Sequence, residues 1–315
     1  MRNLKKIKGD ASFRKFYRKK KGDFSSIIVF AKREKYKNLI VYDAINRILN
    51  QNKILAPCLF KENYKKNYIE IQDFGNTTIF KIFRENDKNK LNYYKKIIKL
   101  LNQIQSIKDK SVKNFQNKKY LIPNYTKKIL TDESNLFCDW YVKNNLNKNQ
   151  LPKFNKRFKK IILKLSLSLK LKNNVFVHRD FHVSNLMIIN NQIGVIDSQD
   201  ALIGNRAYDL ASLIDDVRIQ TSIKLKKKIY DYYIKEQKKL SKHKFKNDFE
   251  ILSILRNLKI IGIFTRLALR DGKKGYLKLI PKAWKLINLR INQNNLFKDL
   301  KDLLSENFRR ELHEN

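Results

Sequence analysis

The chain has 315 residues, with 70 Lys and Arg against 29 Asp and Glu, a formal net charge of +41. Hydrophobic residues make up 42% and aromatics 11%, which excludes the apolar-poor composition of a disordered basic tail and leaves enough chain for two lobes. No apolar run approaches the roughly 18–20 residues that cross a bilayer, so no membrane partner is expected. The charged start, Met1-Arg-Asn-Leu-Lys-Lys-Ile-Lys-Gly9, is followed by no hydrophobic stretch, so a secretory signal is excluded and the expected location is cytoplasmic.

In chain order, alternation over Phe13–Tyr17 and the run Ser25–Ala31 predict two strands joined by a turn at Lys19–Asp23. Leu39, Ile40, Ala44, Ile45, Ile48 and Leu49 recur at helical spacing and predict a helix from Tyr36 to Asn50. Tyr68–Ile71 is a further strand, ending at Asp73-Phe-Gly75. Beyond it the pattern turns helical, near 78–107, 133–145, 155–173, 209–240, 248–270 and 277–292, with Lys/Asn-rich loops at 108–120 and 143–150. The order is that of an α+β protein: a small β-rich N-lobe over residues 1–75 and a large helical C-lobe over 76–315. Cys58 and Cys138 sit in no C-x-x-C pair and beside no clustered His, so neither a zinc site nor a disulfide is expected.

The stretch Phe176-Val-His-Arg-Asp-Phe-His-Val-Ser-Asn-Leu-Met-Ile-Ile-Asn-Asn-Gln-Ile-Gly-Val-Ile-Asp-Ser-Gln-Asp200 carries the chemistry. Leu186–Ile189 and Gln192–Ile196 flank Asn190-Asn191, and Asn tolerates the positive φ of a two-residue hairpin turn. Counting outward, Ile189 faces Gln192, Leu186 faces Val195 and Asn185 faces Ile196. Asn185 and Asp197 therefore emerge together at the open end, with Asp180 on the preceding loop. A carboxylate for an acceptor hydroxyl and two oxygen ligands for Mg²⁺ are what phosphoryl transfer from ATP needs, and H-R-D-x-x-x-x-N before a hairpin and Asp is the kinase arrangement.

His178-Arg-Asp-Phe-His182 with Asn185, Val195-Ile-Asp-Ser-Gln-Asp-Ala201 and Tyr208-Asp-Leu210 resemble the aminoglycoside phosphotransferase/choline kinase superfamily, which implies a protein-kinase-like two-lobe fold. Gly9-Asp-Ala-Ser-Phe-Arg14, Ile69–Gly75, Asp139-Trp-Tyr141 and the segment 256–277 resemble its bacterial cell-wall amino-sugar kinase branch, which phosphorylates the anomeric hydroxyl of N-acetylmuramate or N-acetylglucosamine. The resemblance implies ATP and Mg²⁺ as cofactors, Asp180 as the group that receives or orients the acceptor proton, and Asn185 and Asp197 as metal ligands. The turn Gly9–Arg14 would cover the phosphates, with Gly9 and Ser12 approaching them, while Gln72 and Phe74 would form the hinge that meets adenine. His178, Arg179 and His182 would hold the loop, Asp200 would support the metal site or cap a helix, and Asp209 would brace the loop from beneath.

Three departures from the family pattern stand out. The third strand, with Ile28-Val-Phe30, has no lysine in the usual slot, leaving Lys32 as the nearest candidate with Glu34 or Asp43 as its partner. Ser198 replaces the aromatic residue that commonly follows the metal Asp. The chain starts eight residues before Gly9, so the leading helix of relatives is not expected.

Charge separates acceptors within the superfamily, because a +41 protein opposes polycationic aminoglycosides and choline. An anionic sugar fits better, with Lys259, Arg266, Arg270 and Lys273 as candidate cations. The competing readings are another small-molecule acceptor, or a catalytically weak kinase-like scaffold holding a polyanion. The basic residues, 54 Lys to 16 Arg, are spread along all segments without aromatic-interleaved Arg patches, so no specific nucleic acid is expected. Lys, Asn and Ile share AT-rich codons, and coding composition accounts for much of the charge.

Overall fold

The computed structural model describes residues 4–7, 14–31, 35–85 and 89–313. The chain forms two compact units, Met1–Pro123 with Val175–Ile203, and Asn124–Asn174 with Gly204–Asn315.

The first unit is built on a five-stranded antiparallel sheet. Its strands are β1 (Leu4–Ile7), β2 (Lys15–Lys21), β3 (Phe24–Phe30), β4 (Leu59–Asn63) and β5 (Tyr68–Gln72), in the order β1-β2-β3-β5-β4. The β2–β3 turn is tighter than the predicted Lys19–Asp23. Lys19 and Lys20 still pair with Ser26 and Ser25, and Gly22 takes the left-handed φ of 58° that the short turn demands. β1 (LKKI) and β4 (LFKEN) escape the periodicity reading because they are the sheet's edges, where charged side chains mask the apolar pattern and discourage further pairing. Alternate residues Ile27, Val29 and Ala31 pack with Ile69 and Ile71 of β5 and with Leu39 and Tyr42 of helix α1 (Lys35–Gln51).

Helices α2 (Ile79–Glu85) and α3 (Lys90–Ser106) follow. Part of the predicted loop at 108–120 is a small hairpin, β6 (Ser111–Lys113) with β7 (Lys119–Leu121). The chain re-enters this unit through β8 (Asn173–Val177) and continues as the hairpin β9 (Leu186–Ile189) and β10 (Gln192–Val195), then β11 (Leu202–Asn205). The hairpin is anchored in the first unit: Ile188 N–H donates to the Thr77 carbonyl at 2.9 Å and Val195 N–H to the Leu55 carbonyl at 2.8 Å. These backbone bonds tie residues 186–195 to the segments around the sheet.

The second unit is helical: α4 (Lys127–Leu136), a π-helical stretch Phe137–Val142, α5 (Lys143–Asn145), α6 (Leu151–Leu167), α7 (Ala207–Ile214), α8 (Ile223–Glu236), α9 (Lys242–Leu269), α10 (Ile280–Ile291), α11 (Lys298–Asn307) and α12 (Arg309–His313). The predicted segment 209–240 is two helices. The break follows Ile214, where buried Asp215 is held by Lys226 at 2.9 Å and Arg290 at 3.0 Å. Long α9 is buried over most of its circumference. At Gly262 it approaches α4 so closely that a Cβ would lie 2.3 Å from the Leu136 backbone, which explains a glycine inside this helix. The Phe137 ring stands 5.4–5.8 Å from those of Tyr141, Phe158, Trp284 and Phe308, forming the aromatic centre of the unit.

Candidate active site

Buried Phe176, Val177, Phe181 and Val183 anchor the segment between β8 and β9, and leave Asp180 half-buried between them. The Asp180 carbonyl accepts hydrogen bonds from His182 N–H at 3.0 Å and from Asn185 Nδ2 at 3.0 Å. Asn185 thus has its donor end tied to the loop, while Oδ1 makes no hydrogen bond among the described residues. Across the hairpin, Asn190 and Asn191 both take left-handed backbone angles, φ 46° and 64°, and the register is the one counted from the sequence, Gln192 with Ile189 through Val195 with Leu186. The Ile196 N–H extends it by donating to the Asn185 carbonyl at 3.0 Å, so Asp197 leaves the ladder beside Asn185.

Asp197 and Arg179 are non-glycine residues with φ of 61° and 71°. Such left-handed backbone costs about 1–3 kcal/mol each and collects at functional sites. Arg179 is held there by a bond from Nη1 to the Asp200 carbonyl at 3.1 Å. Gln199 Nε2 donates to Asp197 Oδ1 at 3.1 Å and Asp200 Oδ2 at 3.0 Å, so one amide links two carboxylates. Burial, with the charges of Asp180 and Asp200, pushes the Asp197 carboxyl up to about 6, although Arg14 and the Gln199 hydrogen bond pull it down. Burial lowers the pKa of fully buried His178, against the opposing charge of Asp180 and a hydrogen bond to the Ile196 backbone. His182 is buried as well.

These residues fit a hard divalent cation. The donor set is a carboxylate and an amide oxygen, and a cation would relieve the repulsion from Asp180 and Asp200 that adds to burial in raising Asp197. No group of three His, Cys, Asp or Glu that could hold a metal occurs among the described residues, and Mg²⁺ keeps most of its shell as water and phosphate, so two protein oxygens can serve it.

The Gln72 N–H donates to the Cys58 carbonyl at 2.8 Å. The buried Phe74 ring packs on β10 at Gly194, where a Cβ would stand 2.9 Å from the ring. The backbone after Gln72 is fixed by Arg18, whose guanidinium grips Asp73 at 2.5 and 2.9 Å and the Gly75 carbonyl at 2.9 Å. Gly9, Ser12 and Lys32 lie outside the described residues, as does Glu34. Asp43, the other partner considered for Lys32, is engaged elsewhere: it pairs with Arg47 at 2.7 Å and accepts the Phe115 N–H at 3.0 Å.

Asp209, Arg266 and Arg270 belong to the second unit. Asp209 is fully buried in the first turn of α7, where the helix dipole favours an anion. Arg266 is half-buried, its pKa lowered by burial and by Arg270, and its Nε is buried without a hydrogen-bond partner among the described residues. Arg270 is exposed and chelated by Asp271 at 2.8 and 2.9 Å. Lys259 is not a spare cation, since it is paired with Glu133 at 2.7 Å in a mostly buried contact. An open cavity of about 450 Å³ is lined by Asp139, Trp140, Lys143, Asn144, Leu269 and Arg270, which brings together two sequence segments 130 residues apart.

Sequence reasoning missed Arg18, Tyr42, Asn46 and Gln199, and reached Arg14 only as the end of the phosphate-covering turn Gly9–Arg14, without giving its side chain a role. Arg14 Nη1 stands 3.3 Å from Asp197 Oδ1, with its side chain 5% exposed. Burial raises the Tyr42 phenol pKa, and the Asp197 charge raises it further, placing α1 in the electrostatic environment of the site. Gln199 lay within a quoted motif, and only its polar amide between two carboxylates could have flagged it.

Residues 3–241 match the model of the phosphotransferase enzyme family. The chain belongs to that family. Several relatives carry the name N-acetylmuramate/N-acetylglucosamine kinase. The one from Neisseria meningitidis serogroup B is 26% identical over 282 residues, 87% of this chain and 81% of the relative. The one from Pseudomonas aeruginosa is 26% identical over 302 residues, 94% of this chain and 86% of the relative. Among solved structures, amicoumacin kinase in complex with AMP-PNP, Ca²⁺ and its amicoumacin ligand superposes with a TM-score of 0.62 at 14% identity, covering 91% of this chain and 88% of that one. The fold of this family member is thus the protein-kinase-like one that its motifs imply. No helix among the described residues is long and apolar enough to cross a membrane.

Proposed function

We propose that the protein transfers the γ-phosphoryl group of ATP to the anomeric hydroxyl of an N-acetylated amino sugar, N-acetylmuramate or N-acetylglucosamine, giving a sugar 1-phosphate and ADP. The observation that carries the reading is the Asn185–Ile196 backbone bond, which sets Asn185 and Asp197 side by side beyond a loop that presents Asp180. The relatives' shared name supports the acceptor.

In this reading Asp180 accepts the proton of the sugar hydroxyl as its oxygen bonds to the γ-phosphorus and the bond to the β-phosphate bridging oxygen breaks. Asn185, through Oδ1, and Asp197 hold Mg²⁺. When bound, the ion would supply positive charge to offset that of the phosphates. Gln199 keeps Asp197 and Asp200 together, and Arg179, His178 and His182 hold the loop. Residues 1–75 act as the nucleotide-covering lobe, with the backbone of Gln72–Phe74 toward adenine and Gly9 and Ser12 over the phosphates, and residues 76–315 carry the acceptor side. Arg266, whose buried Nε has no partner among the described residues, and Arg270 suit a sugar bearing a carboxylate better than a polycation. The protein acts in the cytoplasm, on precursors of cell-wall salvage.

The test is ADP release by the purified protein with MgATP and each sugar, followed by ³¹P NMR of the product. A sugar 1-phosphate resonance is the expected result. Turnover of a different hydroxyl compound with neither sugar phosphorylated overturns the acceptor. Nucleic-acid binding that collapses between low and moderate salt, with no turnover at all, overturns the enzyme reading in favour of a scaffold.

A further inference from the structure

Kinases of this architecture grip the α- and β-phosphates with a lysine on the third strand, which a helix carboxylate holds in place. This chain has neither part in that position. β3, Phe24–Phe30, contains no basic residue. The α1 carboxylate, Asp43, is taken by Arg47 and the Phe115 backbone. The α1 residues associated with the Asp197 loop are the neutral Tyr42 and Asn46, the latter accepting a hydrogen bond from Ser198.

What stands beside Asp197 is Arg14. It directly precedes β2, and its side chain is buried down to 5% exposure with a guanidinium nitrogen 3.3 Å from the Asp197 carboxylate. That contact is longer than the roughly 2.7–2.9 Å of an optimised charge-assisted bond. It joins a cation to a carboxylate that also feels Asp180 and Asp200. A buried guanidinium beside a candidate metal ligand is a cation placed near where the phosphates of a metal-chelated nucleotide would lie.

We propose that Arg14 is the phosphate-gripping residue of this protein and replaces the missing strand-three lysine. In the nucleotide-free protein it neutralises Asp197. With the metal and nucleotide bound, the Asp197 charge would be met by the metal and the Arg14 fork turns to the phosphate oxygens, where the planar guanidinium suits bidentate donation. Arg18 follows four residues later in the same strand alternation and clamps Asp73 at the hinge. One face of β2 thus serves both ends of the nucleotide, Arg14 the phosphates and Arg18 the hinge backbone. This inference rests on the ATP-dependent reading above and concerns which side chain holds the phosphates.

The experiment measures binding without an acceptor sugar, by displacement titration with MgAMP-PNP and with adenosine, on native protein, Arg14→Met, Arg14→Lys and Lys32→Met, each checked for folding by circular dichroism. Arg14→Met is expected to weaken MgAMP-PNP about tenfold or more, the loss of a charge-assisted contact, and adenosine by less than about twofold. Retention of native MgAMP-PNP affinity by Arg14→Met, with its loss in Lys32→Met, overturns the assignment and gives the role to Lys32. If Arg14→Met does not fold, Arg14→Lys carries the test. A several-fold loss confined to MgAMP-PNP supports the fork, and an unchanged ratio to adenosine overturns it. Native protein that binds adenosine and MgAMP-PNP equally, or neither, overturns the ATP reading itself.

Discussion

Ser198 donates its hydroxyl hydrogen to Asn46 Oδ1 at 2.6 Å, and Asn46 in turn donates Nδ2 to the Pro57 carbonyl at 3.0 Å. The residue after Asp197 is therefore not a loosened packing position, as the loss of an aromatic there suggests. It is fully buried and pins the Asp197 loop to α1. Ser198→Ala strands a buried Asn46 oxygen, and we expect a loss of about 1–3 kcal/mol in urea unfolding. A change under about 0.5 kcal/mol would show that the contact does not hold the loop.

Asp180→Asn keeps the backbone carbonyl that Asn185 and His182 use, and removes the carboxylate that would accept the acceptor proton. Phosphorylation of the sugar should fall about 10²–10⁴-fold while MgATP binding stays within about threefold. Unchanged turnover would refute Asp180 as the base.

Asp197, with its carboxyl raised to about 6 chiefly by burial, must be ionised to hold a metal. Thermal stabilisation by millimolar Mg²⁺ alone should therefore be present at pH 7–8 and fade as the pH falls through about 6, with affinity falling toward tenfold per pH unit below it. The same raised value has the opposite sign for the metal-free fold. Its contribution to stability is present below the unfolded carboxyl range and is lost as the pH rises through about 6. A Mg²⁺ shift that is flat from pH 5 to 8 would exclude Asp197 as a ligand.

Asp215 lies fully buried between Lys226 and Arg290, with Ser253 donating at 2.6 Å, and these partners hold its carboxyl well below the usual range despite burial. Asp215→Asn leaves two cations short of their counter-charge and should cost about 3–5 kcal/mol, the loss seen when one partner of a buried pair is removed. Because the folded pKa is depressed, the native advantage is fully present above about pH 4 and disappears as the pH drops through the folded value. Urea titrations of both proteins at pH 7 and pH 3 check this, since the gap must narrow in acid.

The hairpin of the candidate site was legible because every determinant is local. Two Asn residues tolerate a left-handed turn, and two apolar runs of four residues fix a register that carries Asn185 and Asp197 to one end. Helix α1 and the central strands were legible for the same reason, as their apolar residues repeat at the period of the element. Edge strands β1 and β4 were not, because charged residues equal the apolar ones in number and only pairing with β2 and β5 makes them strands. Nor was the break after Ile214, where a buried carboxylate is held by Lys226, 11 residues on, and by Arg290, 75 residues on.

By itself, then, the sequence determined the family motifs, the helical and strand periods, and the chemistry gathered between His178 and Asp200. It also named cations by type, and there it reached its limit, because a chain with 54 Lys offers a lysine near any position. Tertiary structure decided which charges are engaged. Lys259 belongs to Glu133, Asp43 to Arg47, and Arg14 comes to Asp197 across 183 residues. The physical reason is that a charge acts through distance and burial, and neither is encoded in local spacing.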